Sequence, residues 1–113
     1  MKSKEVKIVD KLEIKDFVRG WIIGNFEPSI VKTKKLDFGV AFFKTGDKHD
    51  PHYHKICTEY VVVVSGKHII GSKEYKKGDI CIIKPYEKFR YECLKTGAVA
   101  VVKLPTGKGD KYA

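Results

Sequence analysis

The stretch that decides the fold is GDKHDPHYHKICTEYVVVVSG, residues 46–66. Two histidines, His52 and His54, are separated by one residue, and a single carboxylate, Glu59, precedes an apolar run that ends at Ser65 and Gly66. Valine-rich segments bounded by turn residues are typical of half-buried β-strands. The stretch therefore predicts β-structure that holds two imidazoles and one carboxylate close together.

The residue types and their spacing predict a metal site. Residues i and i+2 of a strand project from the same face, so we expect His52 and His54 to point together. Glu59 leads directly into the apolar strand, where a carboxylate without a partner would be costly to bury. Two histidines and a carboxylate are ligands of non-haem iron and of catalytic zinc. We therefore predict one divalent ion, Fe, Mn, Ni or Zn, at His52, His54 and Glu59.

The rest of the 113-residue chain repeats the same β-rich pattern. Short segments rich in Val, Ile, Phe and Tyr alternate with turns that contain Gly, Pro or Lys-Gly. The predicted strands are residues 5–10, 20–26, 29–34, 36–43, 59–65, 68–71, 79–84, 89–94 and 98–104. Residues 11–17 fit either one helical turn or a strand. So many short strands in one small chain predict an all-β barrel.

Composition argues against several classes of protein. The net charge is +9, but its 21 lysines and 2 arginines are scattered, whereas nucleic-acid-binding surfaces concentrate positive charge and favour Arg. No apolar run approaches the roughly 20 residues that span a bilayer, and the N-terminus lacks the apolar segment of a signal peptide. Three cysteines without a CxxC pair indicate buried free thiols in a reducing compartment. We therefore expect a cytoplasmic protein with neither nucleic-acid nor membrane partners.

The spacing within residues 46–66 resembles the first motif of the cupin superfamily, G-x5-H-x-H-x3,4-E-x6-G. Gly46, His52, His54, Glu59 and Gly66 occupy every fixed position. The resemblance implies a jelly-roll β-barrel formed by one domain, residues 1–113, with its core at about 38–104 and flanking strands within 1–35. It also implies that the two histidines and the glutamate are metal ligands. Because cupins commonly pair through their outer sheets, it further implies a homodimer.

The second cupin motif, G-x5-P-x-G-x2-H-x3-N, would supply a fourth ligand, and its counterpart here begins at Gly78. Aligned without a gap, Phe89 stands at the histidine position, and a shift by one residue places Arg90 there. Strand alternation favours the first alignment, because Phe89 and Tyr91 then share an apolar inward face. The fourth histidine is therefore absent, and its replacement would be a weaker ligand such as Tyr91, or water.

Other residues are candidates for contacts with a substrate. Lys44 would bind an anion if the strand face that it shares with Phe42 pointed inward, and Phe89 would line the cavity. Tyr86 would act as a gate at the barrel mouth. Of the two remaining histidines, we expect His49 to be solvated in a loop and His68 to lie at the surface or rim.

Three classes of function remain open. The first is a small metal-binding cupin, enzymatic or not, for an anionic or carbohydrate-related small molecule, with His52, His54 and Tyr91 as candidate catalytic residues. The second is a metal-free enzyme, since residues 16–29 are similar to the opening strand of cupin-type nucleotide-sugar isomerases and epimerases. There a histidine would act as base and Tyr91 as acid. The third is a barrel that binds a small ligand without catalysis. Bound metal separates the first class from the others.

Overall fold

The structure, a computed structural model, describes residues 10–113, which form ten β-strands. Two short 3-10 turns, Ile14–Asp16 and Val18–Gly20, precede them, so a helical turn forms within residues 11–17. The strands are β1 Trp21–Gly24, β2 Val31–Lys32, β3 Asp37–Phe43, β4 Lys48–His52, β5 Thr58–Val63, β6 Lys67–Ile70, β7 Lys73–Lys76, β8 Ile80–Ile83, β9 Phe89–Lys95 and β10 Gly97–Leu104. The all-β prediction is confirmed. The strand predicted at residues 5–10 lies outside the described residues except for Asp10.

The strands form two sheets. One has six strands in the order β2-β1-β3-β10-β5-β8, and the other has four in the order β4-β9-β6-β7. All neighbours are antiparallel except β1 and β2. The hydrophobic core contains residues of both sheets, including Val61 of β5 and Tyr91 of β9. The chain therefore folds as two sheets packed over a shared interior.

Alternation along the central strands decides which side chains reach this interior. Val61 and Val63 of β5 and Val99 and Val101 of β10 are buried in the core. Because the side-chain period of a strand is two residues, Glu59 and Lys103 continue the same inward faces. Each of these two strands therefore delivers one charged group into an otherwise apolar interior.

The outward face of the six-stranded sheet is also apolar. The pairing register aligns two rows of side chains across strands β3, β10, β5 and β8. These rows are Val40-Ala100-Val62-Ile80 and Phe38-Val102-Tyr60-Ile82. We call them the outer apolar face. Three of its members, Val62, Ile80 and Ile82, are 40%, 62% and 55% exposed.

The three cysteines, Cys57, Cys81 and Cys93, are buried and unpaired, as the sequence predicted. Cys81 and Cys93 belong to the hydrophobic core, where a thiol packs as a small apolar side chain. His68, by contrast, is fully buried, so the expectation that it lies at the surface or rim is wrong. Among residues 10–113, no helix is long and apolar enough to cross a membrane.

Candidate metal centre

The structure brings the three predicted ligands next to one another. Strand β4 ends at His52, and the chain remains extended through Tyr53, which forms an isolated bridge with Tyr112. The rings of His52 and His54 are 5.4 Å apart between centroids. Nε2 of His54 lies 3.1 Å from Oε1 of Glu59 at the start of β5. His54 therefore lies beside both other predicted ligands, although His52, His54 and Glu59 are not among the described groups whose ligand atoms all lie within 4.8 Å of one another.

Backbone carbonyls orient both histidines in the same way. Nδ1 of His54 donates a hydrogen bond to the backbone oxygen of Asp110, and Nδ1 of His52 donates to that of Asp50 at 3.2 Å. Metal-binding histidines commonly donate their second ring N–H to such an acceptor, which fixes the tautomer and the ring orientation. His52 thus keeps Nε2 for a ligand, whereas Nε2 of His54 faces Oε1 of Glu59, so a divalent ion that binds both would replace the hydrogen bond between them.

The environment sets different protonation preferences for the two rings. The hydrogen bond from His54 to Glu59 raises the pKa of His54, although burial opposes this effect. Burial lowers the pKa of His52, and the nearby charge of Lys111 lowers it further. His52 is therefore held neutral, the form that binds metals. In the metal-free protein, His54 is favoured as the imidazolium ion paired with Glu59.

Phe89 occupies the place opposite His52. The two residues are register partners in the β4–β9 ladder, and their rings are 4.4 Å apart between centroids. Phe89 lines the cavity, as the ungapped alignment of the second motif predicts, whereas its neighbour Arg90 is exposed. An apolar ring therefore stands beside the ligands where the second cupin motif would place a histidine.

Tyr91 lies deeper on the same face of β9. Its hydroxyl donates a 2.6 Å hydrogen bond to Nδ1 of His68, whose Nε2 donates to the backbone oxygen of Ser65. Burial raises the pKa of Tyr91. The hydroxyl is thus engaged with a buried histidine rather than with His52, His54 or Glu59. This contact gives Tyr91 a structural partner and weighs against a role as acid or as metal ligand.

His49 is exposed, as the sequence predicted, but it lies in strand β4 rather than in a loop, and it also lines the cavity. A β-bulge lies between His49, the partner of Tyr91, and His52, the partner of Phe89. The extra residue in β4 places residues i and i+3 on one face. His49 consequently packs against Phe43, with the ring centroids 5.4 Å apart. The sequence gives no signal for this bulge.

A second group of potential ligand atoms lies behind His54. Among the described residues, ligand atoms of His54, Cys57 and Asp110 lie within 4.8 Å of one another. The Asp110 carboxylate, however, already accepts three backbone N–H groups, from Lys55 at 2.8 Å, Ile56 at 3.0 Å and Cys57 at 2.9 Å. These bonds outweigh burial and lower the pKa of Asp110.

The thiol of Cys57 belongs to the same hydrogen-bonded group. Burial and the Asp110 carboxylate raise the pKa of Cys57 to about 12, so in the metal-free protein its thiol is protonated. The group therefore fits a hydrogen-bonded clasp better than a metal site. It fastens the C-terminal segment to the loop after His54, and through the Asp110 carbonyl it positions the His54 ring. No sequence pattern had pointed to Asp110.

Two predicted substrate-contact residues do not line the cavity. Lys44, just after β3, is exposed, and Phe42, which shares its strand face, lines the cavity but is itself 67% exposed. Tyr86 is 68% exposed and stacks on Tyr53 with the ring centroids 6.0 Å apart. Its ring covers the outside of the His54 loop rather than the mouth of the cavity.

Two of the three predicted ligands, His52 and Glu59, border a cavity of about 960 Å³ between the two sheets. His52, Glu59 and Phe89 line it, together with apolar residues of β3, β5 and β10. Its charged lining is mostly basic, with two acids, Asp47 and Glu59, against the five bases Lys15, Arg19, Lys48, Lys103 and Lys111. A cavity with this balance attracts anions.

Comparison with known proteins identifies the fold. No protein-family model matches the chain, and no curated protein matches its sequence. An RmlC-like cupin from Shewanella frigidimarina NCIMB 400 superposes with a TM-score of 0.61 at 18% identity, over 68% of this chain and 72% of that one. A protein with a double-stranded β-helix domain from Klebsiella pneumoniae superposes with a TM-score of 0.62 at 20% identity, over 88% of this chain and 92% of that one.

A metal-containing structure is also similar. The bacterial pirin YhhW from Escherichia coli, in complex with nickel(II), superposes with a TM-score of 0.64 at 12% identity, over 77% of this chain and 39% of that one. At these identities the similarity shows the fold alone. The chain thus has the small cupin fold, the double-stranded β-helix that its first motif implied.

Proposed function

We propose that this protein binds one divalent metal ion through His52, His54 and Glu59 and holds a small anionic ligand or substrate beside it in the barrel. The observation that supports this most is the shared arrangement of the two imidazoles, each fixed through Nδ1 by a backbone carbonyl. Imidazole and carboxylate ligands bind Fe, Mn, Ni and Zn alike, so the metal measurement below offers all four ions.

Each residue of the site has a distinct part in this proposal. His52, neutral because of its burial, offers a ring nitrogen without a prior loss of a proton. His54 gives up its proton to become a ligand, while the Asp110 carbonyl keeps its ring in place. Phe89 keeps water from one side of the site and leaves the other positions to the ligand. When bound, the ion would act as a Lewis acid that polarises an oxygen of that ligand.

The engaged hydroxyl of Tyr91 favours this proposal over a metal-free nucleotide-sugar isomerase. That alternative needs Tyr91 as the acid, and its hydroxyl donates to buried His68 instead. The third class, a barrel that binds a small ligand without catalysis, is separated from our proposal by bound metal, which the experiment below measures.

The decisive experiment separates the two groups of potential ligands. Metal content is measured by plasma mass spectrometry on untagged protein after each of the four ions has been offered, followed by desalting. We expect near-stoichiometric metal in the wild type and in Cys57→Ser, and its loss in Glu59→Gln. Metal lost in Cys57→Ser but kept in Glu59→Gln would move the site to the Asp110 clasp. Absence of metal from the wild type under all conditions would overturn the proposal.

We further propose that two copies associate through the outer apolar face. The eight residues of this face include no charged side chain, although the chain as a whole has a net charge of +9. Two copies with such a charge repel each other, and an uncharged contact surface adds no like-charge pair to that repulsion. A contiguous, partly exposed apolar patch on one sheet is typical of a protein–protein contact.

A further inference from the structure

Lys103 is a charged residue that faces the barrel interior and has no part in the proposed metal site. It follows Val99 and Val101 on the inward face of β10, and it lines the cavity. The residue is half-buried, although lysine normally extends its ammonium group into water. Its place on a central strand fixes the direction of its Cα–Cβ bond toward the interior.

The surroundings hold the Lys103 side chain without neutralising it. Its Nζ lies 4.9 Å from the centroid of the Trp21 ring, a cation–π contact. The backbone at Gly107 packs against its stem so closely that a Cβ at that position would lie 2.6 Å from Cδ of Lys103. Among the ion pairs within residues 10–113, none includes Lys103. Its other ladder partner, the buried carboxylate of Asp37, accepts hydrogen bonds from Thr106 and Gly107 instead, so the Lys103 ammonium group is positioned without an ion-pair partner among these residues.

The register of the sheet places this charge beside the candidate metal centre. Lys103 and Glu59 are direct partners in the β10–β5 ladder, and both face the cavity. Side chains that are directly opposite in an antiparallel pair have Cβ atoms about 5 Å apart. A molecule of a few heavy atoms can therefore reach from the Lys103 ammonium to the ligands of the metal.

We propose that Lys103 binds the carboxylate group of a small organic acid in the cavity, with the Trp21 ring as the wall behind its ammonium group. This inference deepens the proposed function, because it names the chemical class of the ligand and the residue that recognises it. One ammonium group balances the single charge of a carboxylate. The Trp21 ring and Val101 beside Lys103 suit a compact organic acid better than a phosphate dianion, which needs several hydrogen-bond donors.

Trp21 is the only tryptophan of the chain and therefore reports on this place. The experiment titrates metal-free protein with acetate and with succinate at constant ionic strength, and it records tryptophan fluorescence and the heat of binding by calorimetry. We expect a saturable change with both acids and none with acetamide, which has the shape of acetate without its charge. Lys103→Met should weaken binding by about tenfold or more, since a charge-assisted hydrogen bond is lost.

The control is Lys77→Met, which removes an exposed lysine outside the cavity lining. It should retain binding within about threefold, which is within the range of one screened surface charge. Gly107→Ala is a second test, because it displaces the Lys103 stem without a change in charge, and it too should weaken binding. Equal losses in Lys103→Met and Lys77→Met would overturn the assignment, and so would phosphate binding as tight as that of the carboxylates.

The two proposals can fail independently. Lys103→Met should keep the metal content of the wild type, since Lys103 is not among the metal ligands. Carboxylate binding that occurs only in metal-loaded protein, equally in the wild type and in Lys103→Met, would assign the anion to the metal and overturn the role of Lys103. A protein that binds carboxylates through Lys103 but never holds metal would leave this inference standing and remove the metal proposal.

Discussion

Phe89 offers a direct test of the candidate metal centre at the scale of a single residue. Its ring lies 4.4 Å from that of His52, at the position of the histidine in the second cupin motif. A histidine at residue 89 would add a third imidazole to His52, His54 and Glu59. We expect Phe89→His to tighten metal binding by about tenfold or more, because even outer-shell partners of metal ligands change affinity by 10–100-fold. Competition with a fluorescent chelator measures the affinity.

The neighbouring residue supplies the matched control. Arg90 would hold the histidine position if the second motif were shifted by one residue, but its side chain is exposed. Arg90→His should therefore leave metal affinity unchanged. A gain in Arg90→His together with none in Phe89→His would show that β9 presents Arg90, rather than Phe89, to the cavity.

Asp110 gives a prediction about stability and pH. Its carboxylate accepts N–H groups from Lys55, Ile56 and Cys57. We expect Asp110→Ala to lower the free energy of unfolding at neutral pH by about 2–4 kcal/mol, because three buried donors lose their acceptor. The matched control is Asp16→Ala, which removes an exposed carboxylate and should cost less than about 0.5 kcal/mol.

The pH dependence of this difference follows from the direction of the pKa shift. The pKa of Asp110 is lower in the folded protein than in the unfolded chain, where the usual aspartate value is about 3.9. Its contribution is therefore complete above that value and is lost as the pH falls through the folded pKa. Urea unfolding of wild type and Asp110→Ala at a series of pH values should show the gap closing only in acid. A gap that instead closes between about pH 8 and 6 would point to a histidine as the titrating partner.

What the sequence reveals at this scale depends on the range of each interaction. His52, His54 and Glu59 lie within eight residues, so local strand geometry was sufficient to place them together. Asp110 reaches the loop after His54 from more than 50 positions away. No local pattern encodes that contact. Lys103 was detectable in principle, since it interrupts the apolar alternation of Val99 and Val101, but its strand was interpreted only as an apolar run.

At the scale of the element, β4 shows where pattern reading stops. Its sequence, KHDPH, has neither apolar alternation nor β-branched residues, so the strand that ends at His52 is recognisable only from its pairing with β9. The bulge within it turns His49 toward the cavity. The same limit applies to β7, whose sequence KEYK is polar. Strands with strong apolar patterns were predicted from the sequence, because the burial of their apolar side chains alone determines which face of the strand turns inward.

The turn after β5 explains why the cupin motif ends in glycine. Gly66 has a φ of +81°, and a Cβ there would lie 2.4 Å from the backbone oxygen of Lys95 and 2.8 Å from Cα of Gly97. Two turns therefore cross in direct backbone contact, and neither backbone can yield. Gly66→Ala should lower the free energy of unfolding by the cost of a left-handed alanine, about 1–2 kcal/mol, plus the cost of the clash.

Gly71 separates these two costs. Its φ is +67°, but nothing lies within 4 Å of the place that a Cβ would occupy, so Gly71→Ala should incur the conformational cost alone. We expect Gly66→Ala to be less stable than Gly71→Ala by at least about 2 kcal/mol in urea unfolding. Equal destabilisation in the two variants would mean that the two turns are not in direct backbone contact.

At the scale of the whole molecule, strands β5 and β10 of the six-stranded sheet have two apolar faces, and charged side chains occur on only one of them, at the cavity. The inward faces of β5 and β10 are apolar except at Glu59 and Lys103, which adjoin the cavity, and the outer apolar face is free of charge. The strand count and the first motif were sufficient to predict this architecture. The residues after 104 were not assigned a role, yet through Asp37 and Asp110 they fold back over the barrel and complete its site.

The outer apolar face leads to the prediction for the assembled protein. Ile80 is 62% exposed in the single chain, so Ile80→Lys should leave its folding intact while it places a charge within the proposed contact. We expect the wild type to sediment as a dimer and Ile80→Lys as a monomer in analytical ultracentrifugation over a range of concentrations. Added salt should strengthen the wild-type dimer, because it screens the repulsion between two chains of net charge +9.

Ile56 provides the comparison that makes this result specific. It is 65% exposed but lies in the loop after His54, away from the outer apolar face. Ile56→Lys adds the same charge and removes the same side chain, so general repulsion or loss of apolar surface would affect both variants equally. We expect Ile56→Lys to remain dimeric. If both variants dissociated, or if the wild type were monomeric at every concentration, the uncharged face would not be the contact between copies. Its apolar rows would then need a different partner to cover them.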